Sequence, residues 1–187
     1  MKSSNALIIQ SGGSTAVINR SLAGILAESL KMRSFSKIYG AIHGTDGLLK
    51  RNITDLSNIS CSAISLIGQT PGAALGSSRY KITAANASKV LNVLSEFKIK
   101  YLFIIGGNDS AGNAKKLGHL SKLNGYKLQV IHVPKTIDND LVGTDHSPGY
   151  GSTARFISLA TMGAGKDAQT MGESAPITII EVMGRDA

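Results

Sequence analysis

Two short apolar runs joined by a helical repeat constrain the fold more than any other feature of the chain. Residues 100–105 and 128–133 are rich in β-branched and aromatic side chains, and each is about one strand long. Between them, Gly106 and Gly107 form a turn, after which apolar residues recur at helical spacing: Ala111, Ala114, Leu117 and Leu120. Strand, helix and strand make a βαβ unit with parallel strands. The pattern predicts an α/β fold built on a parallel sheet.

The rest of the chain continues this alternation. Further strands are predicted at 6–9, 37–42, 64–67 and 176–182, and a loop at 43–47. Helices are predicted over 18–30 and from Thr83 to Phe97, and a third begins at a cap formed by Ser152 or Thr153 and runs through Ala160. Gly163 and Gly165 weaken the second half of that last helix. No helix follows to cover the final strand, which favours a truncated sequence over completion by another chain.

Composition and charge narrow the class of protein. A chain of 187 residues with 42% hydrophobic and 17% charged residues suits one globular domain, or one domain and part of another. The sequence contains no run long enough to cross a bilayer and no secretion signal, and Cys61 is its one cysteine, so we expect a cytoplasmic protein without a membrane partner. The net charge is +8, and the basic residues that cause it are scattered along the sequence and form no basic run. This distribution favours phosphorylated small molecules over nucleic acid as ligands.

Polar residues follow both strands of the βαβ unit. The first strand is followed by Asn108, Asp109 and Ser110, and the second by the segment Pro134-Lys135-Thr136-Ile137-Asp138-Asn139-Asp140. Pro134 restricts its own backbone and that of the preceding residue, which stiffens the turn. Because the carboxyl ends of parallel strands meet at one edge of a sheet, where ligands bind, we expect the two segments to share a site.

Two other glycine-rich turns are candidates for binding phosphate. Gly12 and Gly13 lie between the first strand and the first helix, where glycine permits close approach of a phosphate but also serves tight turns for steric reasons. Arg79 ends the glycine-rich segment 68–79, and its planar guanidinium either clamps a phosphate or lies in solvent. These residues alone leave both alternatives open.

Taken in chain order, five blocks of the sequence resemble the amino-terminal half of a phosphofructokinase. They are Gly12-Gly13, residues 75–79, 106–110, 134–140 and 181–185. The resemblance implies a doubly wound parallel α/β sheet in two similar lobes. It assigns residues 1–148 to the lobe that binds the phosphoryl donor and residues 149–187 to the start of a truncated sugar-phosphate lobe. It further implies a homo-oligomer at full length, and a 187-residue piece that is inactive by itself.

The resemblance also implies roles for individual residues. Asp138 takes the proton from the 1-hydroxyl of fructose 6-phosphate, with Thr136 and Lys135 as the other catalytic residues. The donor contacts are Gly12, Gly13, Arg79, Gly107, Asn108, Asp109 and Ser110; the sugar-phosphate contacts are Thr136, Ile137, Asp138, Asp140, Met183, Gly184 and Arg185. The structural alternative for Asp138 and Asp140 is a loop whose side chains cap the next element.

Two positions resemble the pyrophosphate-dependent branch of the family. Asp109 and Lys135 stand where ATP-using members carry glycine; a carboxylate at 109 opposes the α-phosphate of a nucleotide, and a lysine at 135 neutralises a short donor. The resemblance implies Mg²⁺ held by Asp109 and Asn108, although Asn108 replaces the usual aspartate. Pro176 likewise replaces an arginine of ATP-using members that reaches a neighbouring subunit.

Three alternatives to a pyrophosphate-dependent enzyme remain. The first is an ATP-dependent 6-phosphofructokinase, and the second is a non-catalytic relative that binds a phosphate ligand. The third is a kinase of the diacylglycerol or NAD type, which shares the glycine turn but does not account for residues 134–140 or 183–185.

Overall fold

The computed structural model describes residues 4–182 and 184. Its centre is a five-stranded sheet in the order β3-β2-β1-β4-β5. The strands are β1 (Asn5–Gln10), β2 (Ile38–Ala41), β3 (Ile53–Asp55), β4 (Ile99–Gly106) and β5 (Gln129–Pro134). Strand β1 is parallel to β2 and β4, and β4 is parallel to β5, whereas β3 runs antiparallel to β2. The predicted βαβ unit at 100–133 is confirmed.

In the described part of the chain, six α-helices accompany the sheet. They are α1 (Ile18–Met32), α2 (Gly44–Leu49), α3 (Cys61–Gln69), α4 (Ala84–Glu96), α5 (Asn108–Leu123) and α6 (Tyr150–Met171), and a short 3-10 helix, Gly172–Ser174, follows the last of them. Among the helices that the structure describes, none is long and apolar enough to span a lipid bilayer.

The sheet separates two apolar cores. Leu7 and Ile9 of β1 point to the face covered by α4 and α5, whereas Ile8 points to the face covered by α1 and α3. All three side chains are at most 1% exposed, because the strand is buried on both sides. A strand buried on both faces reads as an unbroken apolar run, which is why the sequence signalled β1 so clearly.

The chain changes direction across the sheet at β1. Helix α1 leads from β1 to β2 on one side, while β4 and β5 lie on the other side of β1 and are joined by α5. The sheet is therefore doubly wound, and its switch point lies between the carboxyl ends of β1 and β4. Crevices at such points are the usual ligand sites of open α/β sheets. Segments 11–13 and 106–110 meet there.

Two predicted elements in the first half of the chain are wrong. Residues 64–67 were predicted as a strand but belong to α3, which begins where the Ser60 hydroxyl accepts a hydrogen bond from Ala63 N at 3.1 Å. Residues 43–47 were predicted as a loop, yet most of them form the start of α2. Strand β3 was not predicted, since a three-residue antiparallel edge strand has too little pattern to detect.

The predictions for the last forty residues also need correction. Helix α6 begins at Tyr150 after Gly149, not after a cap at Ser152 or Thr153, and it runs through Gly163 and Gly165 to Met171. Residues 176–182, predicted as a strand, form none, because no described strand pairs with them and a strand needs hydrogen-bonding partners. Ile177 and Ile179 are accordingly 78% and 88% exposed.

The buried centre of the sheet predicts where stability is most sensitive to truncation. Leu102 of β4 is fully buried between β1 and β5, so Leu102→Ala should lower the free energy of unfolding by about 2–5 kcal/mol. Leu123→Ala is the matched control, since Leu123 is 69% exposed and its loss should cost about 0.5 kcal/mol or less. Urea denaturation measures both; equal losses would contradict the assigned core.

Candidate active site

A cleft opens at the carboxyl edge of β1, β4 and β5. Four segments line it: residues 11–15, 79–81, 107–110 together with Asn113, and 135–138; Gly184 lies beside the last of them. Its volume of about 610 Å³ falls within the range of small-ligand sites. All seven residues predicted from the sequence to bind the donor are thus brought to one place.

The loops after β4 and β5 leave the sheet side by side. The two strands pair in register from Tyr101 opposite Gln129 to Gly106 opposite Pro134. The pairing extends one residue further, because Lys135 N donates to Gly106 O at 3.0 Å. The His132 ring nitrogen Nε2 lies 2.8 Å from the same carbonyl. The expected juxtaposition of the two loops is confirmed.

Lys135 turns inward and joins the loop after β5 to the loop after β1. Its side chain is buried, with the residue only 4% exposed, and Nζ donates to Gly13 O at 2.6 Å. Burial lowers the pKa of Lys135, and the positive charge of Arg79 lowers it further, while Asp138 opposes both effects. A phosphate entering the cleft would add negative charge beside this buried ammonium and favour its charged form.

Glycine at position 12 makes room for that ammonium. Gly12 has φ of +79°, a conformation that side chains disfavour, and a Cβ there would lie 3.1 Å from Lys135 Nζ. The loop is held from the other side as well, since Gly12 N donates to Ser78 O at 3.0 Å and Gly12 O accepts from the Ser77 hydroxyl at 2.6 Å. Both backbone groups of Gly12 are therefore paired with the segment that carries Arg79.

Two cations and a helix terminus converge on the cleft. The Arg79 guanidinium nitrogen Nη2 lies 3.8 Å from the position that a Cβ on Gly13 would take. Helix α5 begins at Asn108 after Gly107, and its first turn also lines the cleft, so its free N–H groups add positive potential. Lys135, Arg79 and this helix start form an arrangement suited to an oligophosphate.

Ser110 links the start of α5 to the loop after β1 by a hydrogen bond. Its residue is 4% exposed, and its hydroxyl donates to Ser11 Oγ at 2.9 Å, which in turn donates to Ser78 O at 3.3 Å. A Cβ at Gly106 would lie 2.1 Å from the Ser110 hydroxyl, so only glycine fits there. Ser110 touches the cleft while its hydroxyl connects three loops.

The segment 136–140 is fixed by its own turn and by residues 145–149. Asp138 N donates to Thr136 Oγ1 at 3.1 Å, and Thr136 N donates to Pro148 O at 3.0 Å. Asn139 adopts φ of 52°, and its side chain accepts from Ser147 N at 2.8 Å. Asn and Asp tolerate this left-handed conformation better than most residues do. The turn holds Asp138 at the cleft.

The remaining residues predicted to contact the sugar phosphate differ in how they stand to the cleft. Asp140 does not line the cleft; its backbone carbonyl accepts from Asn108 Nδ2 at 3.4 Å. Gly184 lies close to Asp138, since a Cβ on it would be 3.3 Å from Oδ1. Met183 and Arg185 lie outside the described residues.

The carboxylates in the cleft suit a metal that is shared with a ligand. Within residues 4–182 and 184, no three His, Cys, Asp or Glu side chains cluster as a protein-only metal site. Asp109 and Asp138 nevertheless both line the cleft, and Asp109 is exposed to it. Mg²⁺ commonly binds one or two carboxylates and completes its shell with water and substrate phosphates. The available residues fit that mode.

Comparison with known proteins identifies the family. A sequence model of the family described as Phosphofructokinase matches residues 5–187. The chain belongs to this family. A pyrophosphate–fructose 6-phosphate 1-phosphotransferase of Rhodospirillum rubrum is 40% identical over 181 residues, which cover 97% of this chain and 44% of the relative. An ATP-dependent 6-phosphofructokinase of Clostridioides difficile is 31% identical over 180 residues, covering 95% of this chain and 52% of the relative.

A solved phosphofructokinase has the same fold. The crystal structure of a pyrophosphate-dependent phosphofructokinase from Marinobacter aquaeolei superposes with a TM-score of 0.82 and 40% identity, over 90% of this chain and 42% of that one. The chain thus spans about half the length of the curated relatives it matches. The resemblance to a phosphofructokinase, and to its amino-terminal half, is confirmed.

The structure adds residues to the site that were not predicted from the sequence. Ser14, Thr15, Tyr80, Lys81 and Asn113 line the cleft. A signal existed for some of them: Ser14 and Thr15 directly follow the glycine pair, and Asn113 lies four residues after Asp109 and so on the same helical face. Tyr80 and Lys81 had none, because only the path of the chain after Arg79 places them there.

Because the Lys135 ammonium is buried, we expect it to lower the stability of the folded protein in the absence of a ligand. Replacing Lys135 with methionine, which has a similar length and no charge, should raise the free energy of unfolding by about 1 kcal/mol at pH 7. The lowered pKa of Lys135 means that the native state holds this proton less tightly than the unfolded state. The advantage of the variant should therefore shrink as the pH rises towards the ordinary lysine value of 10.5.

Urea denaturation across this pH range measures the effect. Lys89→Met is the matched control, since Lys89 is exposed and its replacement should change little at any pH. A Lys135→Met chain that is less stable than the parent at pH 7 would show that the ammonium is well satisfied without a ligand.

Proposed function

We propose that this protein is a pyrophosphate-dependent 6-phosphofructokinase, which transfers a phosphoryl group from pyrophosphate to the 1-hydroxyl of fructose 6-phosphate. The observation that carries the proposal is the buried Lys135 ammonium, which donates to Gly13 O in the glycine loop after β1 and is subject to the negative charge of Asp138. The relatives named above support it, since the pyrophosphate-dependent protein is more similar than the ATP-dependent one.

Pyrophosphate fits the charges at the cleft. Lys135 and Arg79 provide two cations within a short distance of Gly13, and the start of α5 adds N–H donors. Asp109 stands in the first turn of α5, exposed at the same edge. A donor that extended beyond its second phosphate over this carboxylate would meet like charge, which costs affinity. The arrangement therefore favours a short donor over ATP.

Asp138 is the proposed general base. As the 1-hydroxyl oxygen of the sugar bonds to the phosphorus, the bond from phosphorus to the bridging oxygen breaks, phosphate leaves, and the hydroxyl proton passes to the Asp138 carboxylate. Thr136 fixes the turn through its bond to Asp138 N, which sets the direction of this carboxylate. Lys135 neutralises charge on the departing phosphate.

Mg²⁺ belongs to the proposal. Asp109, with Asn108 beside it, would hold the ion together with oxygens of pyrophosphate, and the ion would neutralise part of the phosphate charge. Asn108 is proposed as a weaker contact than Asp109, because its amide oxygen carries no formal charge. The Asn108 Nδ2 group donates to Asp140 O at 3.4 Å, which leaves Oδ1 available for the ion.

The sugar-phosphate contacts and the partners complete the proposal. We place the sugar phosphate at Thr136, Ile137, Asp138, Asp140, Met183, Gly184 and Arg185, with residues 1–148 as the donor lobe and residues 149–187 as the start of the sugar-phosphate lobe. The proposed full-length enzyme is a cytoplasmic homo-oligomer. Because the chain spans about half of its relatives, we expect it to bind the donor but not to turn over alone.

Donor binding gives the first test. In the presence of Mg²⁺, calorimetric titration of the 187-residue chain should show binding of pyrophosphate and at least about tenfold weaker binding of ATP. Arg79→Ala should weaken pyrophosphate binding by about tenfold, because a charge-assisted contact with phosphate is lost. Arg33→Ala is the matched control, since Arg33 is exposed and outside the cleft. Tighter binding of ATP than of pyrophosphate would favour the ATP-dependent alternative.

Phosphoryl transfer gives the second test. A chimera in which this chain replaces the matching part of the Rhodospirillum rubrum relative should convert fructose 6-phosphate and pyrophosphate to the bisphosphate. Asp138→Asn in the chimera should lower kcat by about 10²- to 10⁴-fold. Asp145→Asn, at an exposed position of the neighbouring loop, should leave kcat unchanged. Near-full activity of the Asp138 variant would remove the base and favour a different residue in that role.

A further inference from the structure

Arg79 reaches the cleft on a segment without regular secondary structure. Residues 70–83, between α3 and α4, form neither helix nor strand. Arg79 itself is exposed and forms no ion pair with any described residue. Among the described residues the Arg79 side chain therefore has no ion-pair partner that fixes its head group, and its position depends on how firmly the backbone on either side is held.

The upstream half of the segment is held by β1 and α1. Gln10 Oε1 accepts from Leu75 N, and Asn19 Oδ1 accepts from Ala74 N, each at 2.8 Å. Gln10 and Asn19 are 0% and 1% exposed, so the side-chain end of each bond is shielded from water, and the bond to Leu75 is buried at both ends. This half is fixed relative to the glycine loop after β1.

The downstream half is held by Asn113 of α5. Its Nδ2 donates to Tyr80 O at 2.9 Å, and its Oδ1 accepts from Ile82 N at 3.0 Å. Asn113 is 8% exposed, and both bonds reach the backbone just after Arg79. One amide side chain thus pairs with two backbone groups as a neighbouring strand would: it donates to the carbonyl of residue 80 and accepts from the N–H of residue 82.

The position of Asn113 on its helix gives these bonds a functional meaning. Helix α5 starts at the cleft with Asn108 and Asp109, and Asn113 lies four residues beyond Asp109. The bonds therefore fix the backbone next to Arg79 relative to the helix start, rather than only relative to the core. If Asn113 were lost, the guanidinium would remain in the cleft but over a wider range of positions, which lowers affinity.

We propose that Asn113 is a positioning residue for the phosphoryl donor, which holds Arg79 against the start of α5 through its bonds to Tyr80 and Ile82. The inference rests on the proposed function, because it assumes that Arg79 binds a phosphate of the donor. Asn113 acts through Arg79, so its contribution disappears when Arg79 is absent.

A double-mutant cycle tests this dependence. Pyrophosphate is titrated, with Mg²⁺ in excess, into the parent chain, Asn113→Ala, Arg79→Ala and the double variant. We expect Asn113→Ala to weaken binding by about five- to tenfold in the parent, and by less than about twofold when Arg79 is already alanine. Asn124→Ala is the control: it removes an amide bond to Leu120 O at the far end of α5 and should not change binding.

A second variant guards against loss of folding. Asn113→Ser keeps a hydroxyl that is too short for the direct bonds but can reach Tyr80 O or Ile82 N through one bridging water, so it should bind pyrophosphate with an affinity between those of the parent and Asn113→Ala. Thermal unfolding of each variant without ligand shows that the native state is present. If the alanine variant does not fold, the cycle is completed with serine.

The outcomes separate this inference from the proposed function. An equal loss of affinity in both Arg79 backgrounds, or no loss in either, would overturn the role of Asn113 while leaving the donor site intact. Unchanged pyrophosphate binding by Arg79→Ala would contradict the donor site as proposed, and the inference would fail with it.

Discussion

The site depends on one buried cation. Lys135 leaves the end of β5 and hydrogen-bonds through its ammonium to Gly13 O, so it connects two strands that are separated in the sheet by β4. Burying an ammonium costs free energy, and here burial and Arg79 act together to lower its pKa. The protein thus maintains an unfavourable charge next to the carboxyl edge of the sheet, at the place where an anionic ligand would relieve it. This coupling of instability to ligand binding is typical of functional sites.

The rest of the cleft is built to keep that cation in place with little help from regular structure. The backbone of Gly12 is paired on both sides with residues 77 and 78, and Ser110 reaches across to Ser11. Beyond the ends of the strands, where sheet pairing stops, hydrogen bonds from the hydroxyls of Ser11, Ser77 and Ser110 hold the loops together. Loops held in this way can present charged groups without rearranging when a ligand arrives, which reduces the entropy cost of binding.

The same logic explains how an exposed arginine can serve a site of this kind. Gln10, Asn19 and Asn113 are buried amides, and each hydrogen-bonds to the backbone of the segment that carries Arg79. They come from β1, α1 and α5, the three elements that also meet around the glycine loop. These three buried amides therefore belong both to the core and to the support of the cleft, and the loss of any one of them is expected to affect both.

The sequence alone determined the pattern of β1, β4, α5 and β5 and the polar residues that follow the strands, because these strands are short runs rich in apolar residues and the connecting helix has a regular repeat. Only the tertiary structure decided the rest. It showed that residues 64–67 are helical, that residues 176–182 form no strand without a partner, and that Asn113 joins the cleft. A short apolar run such as 64–67 fits a strand or a buried helix, and packing against α1 decides between them. The other two features depend on residues far apart in the chain: a strand needs a partner, and helical spacing places Asn113 on the face of Asp109 but does not predict its bonds to residues 80 and 82.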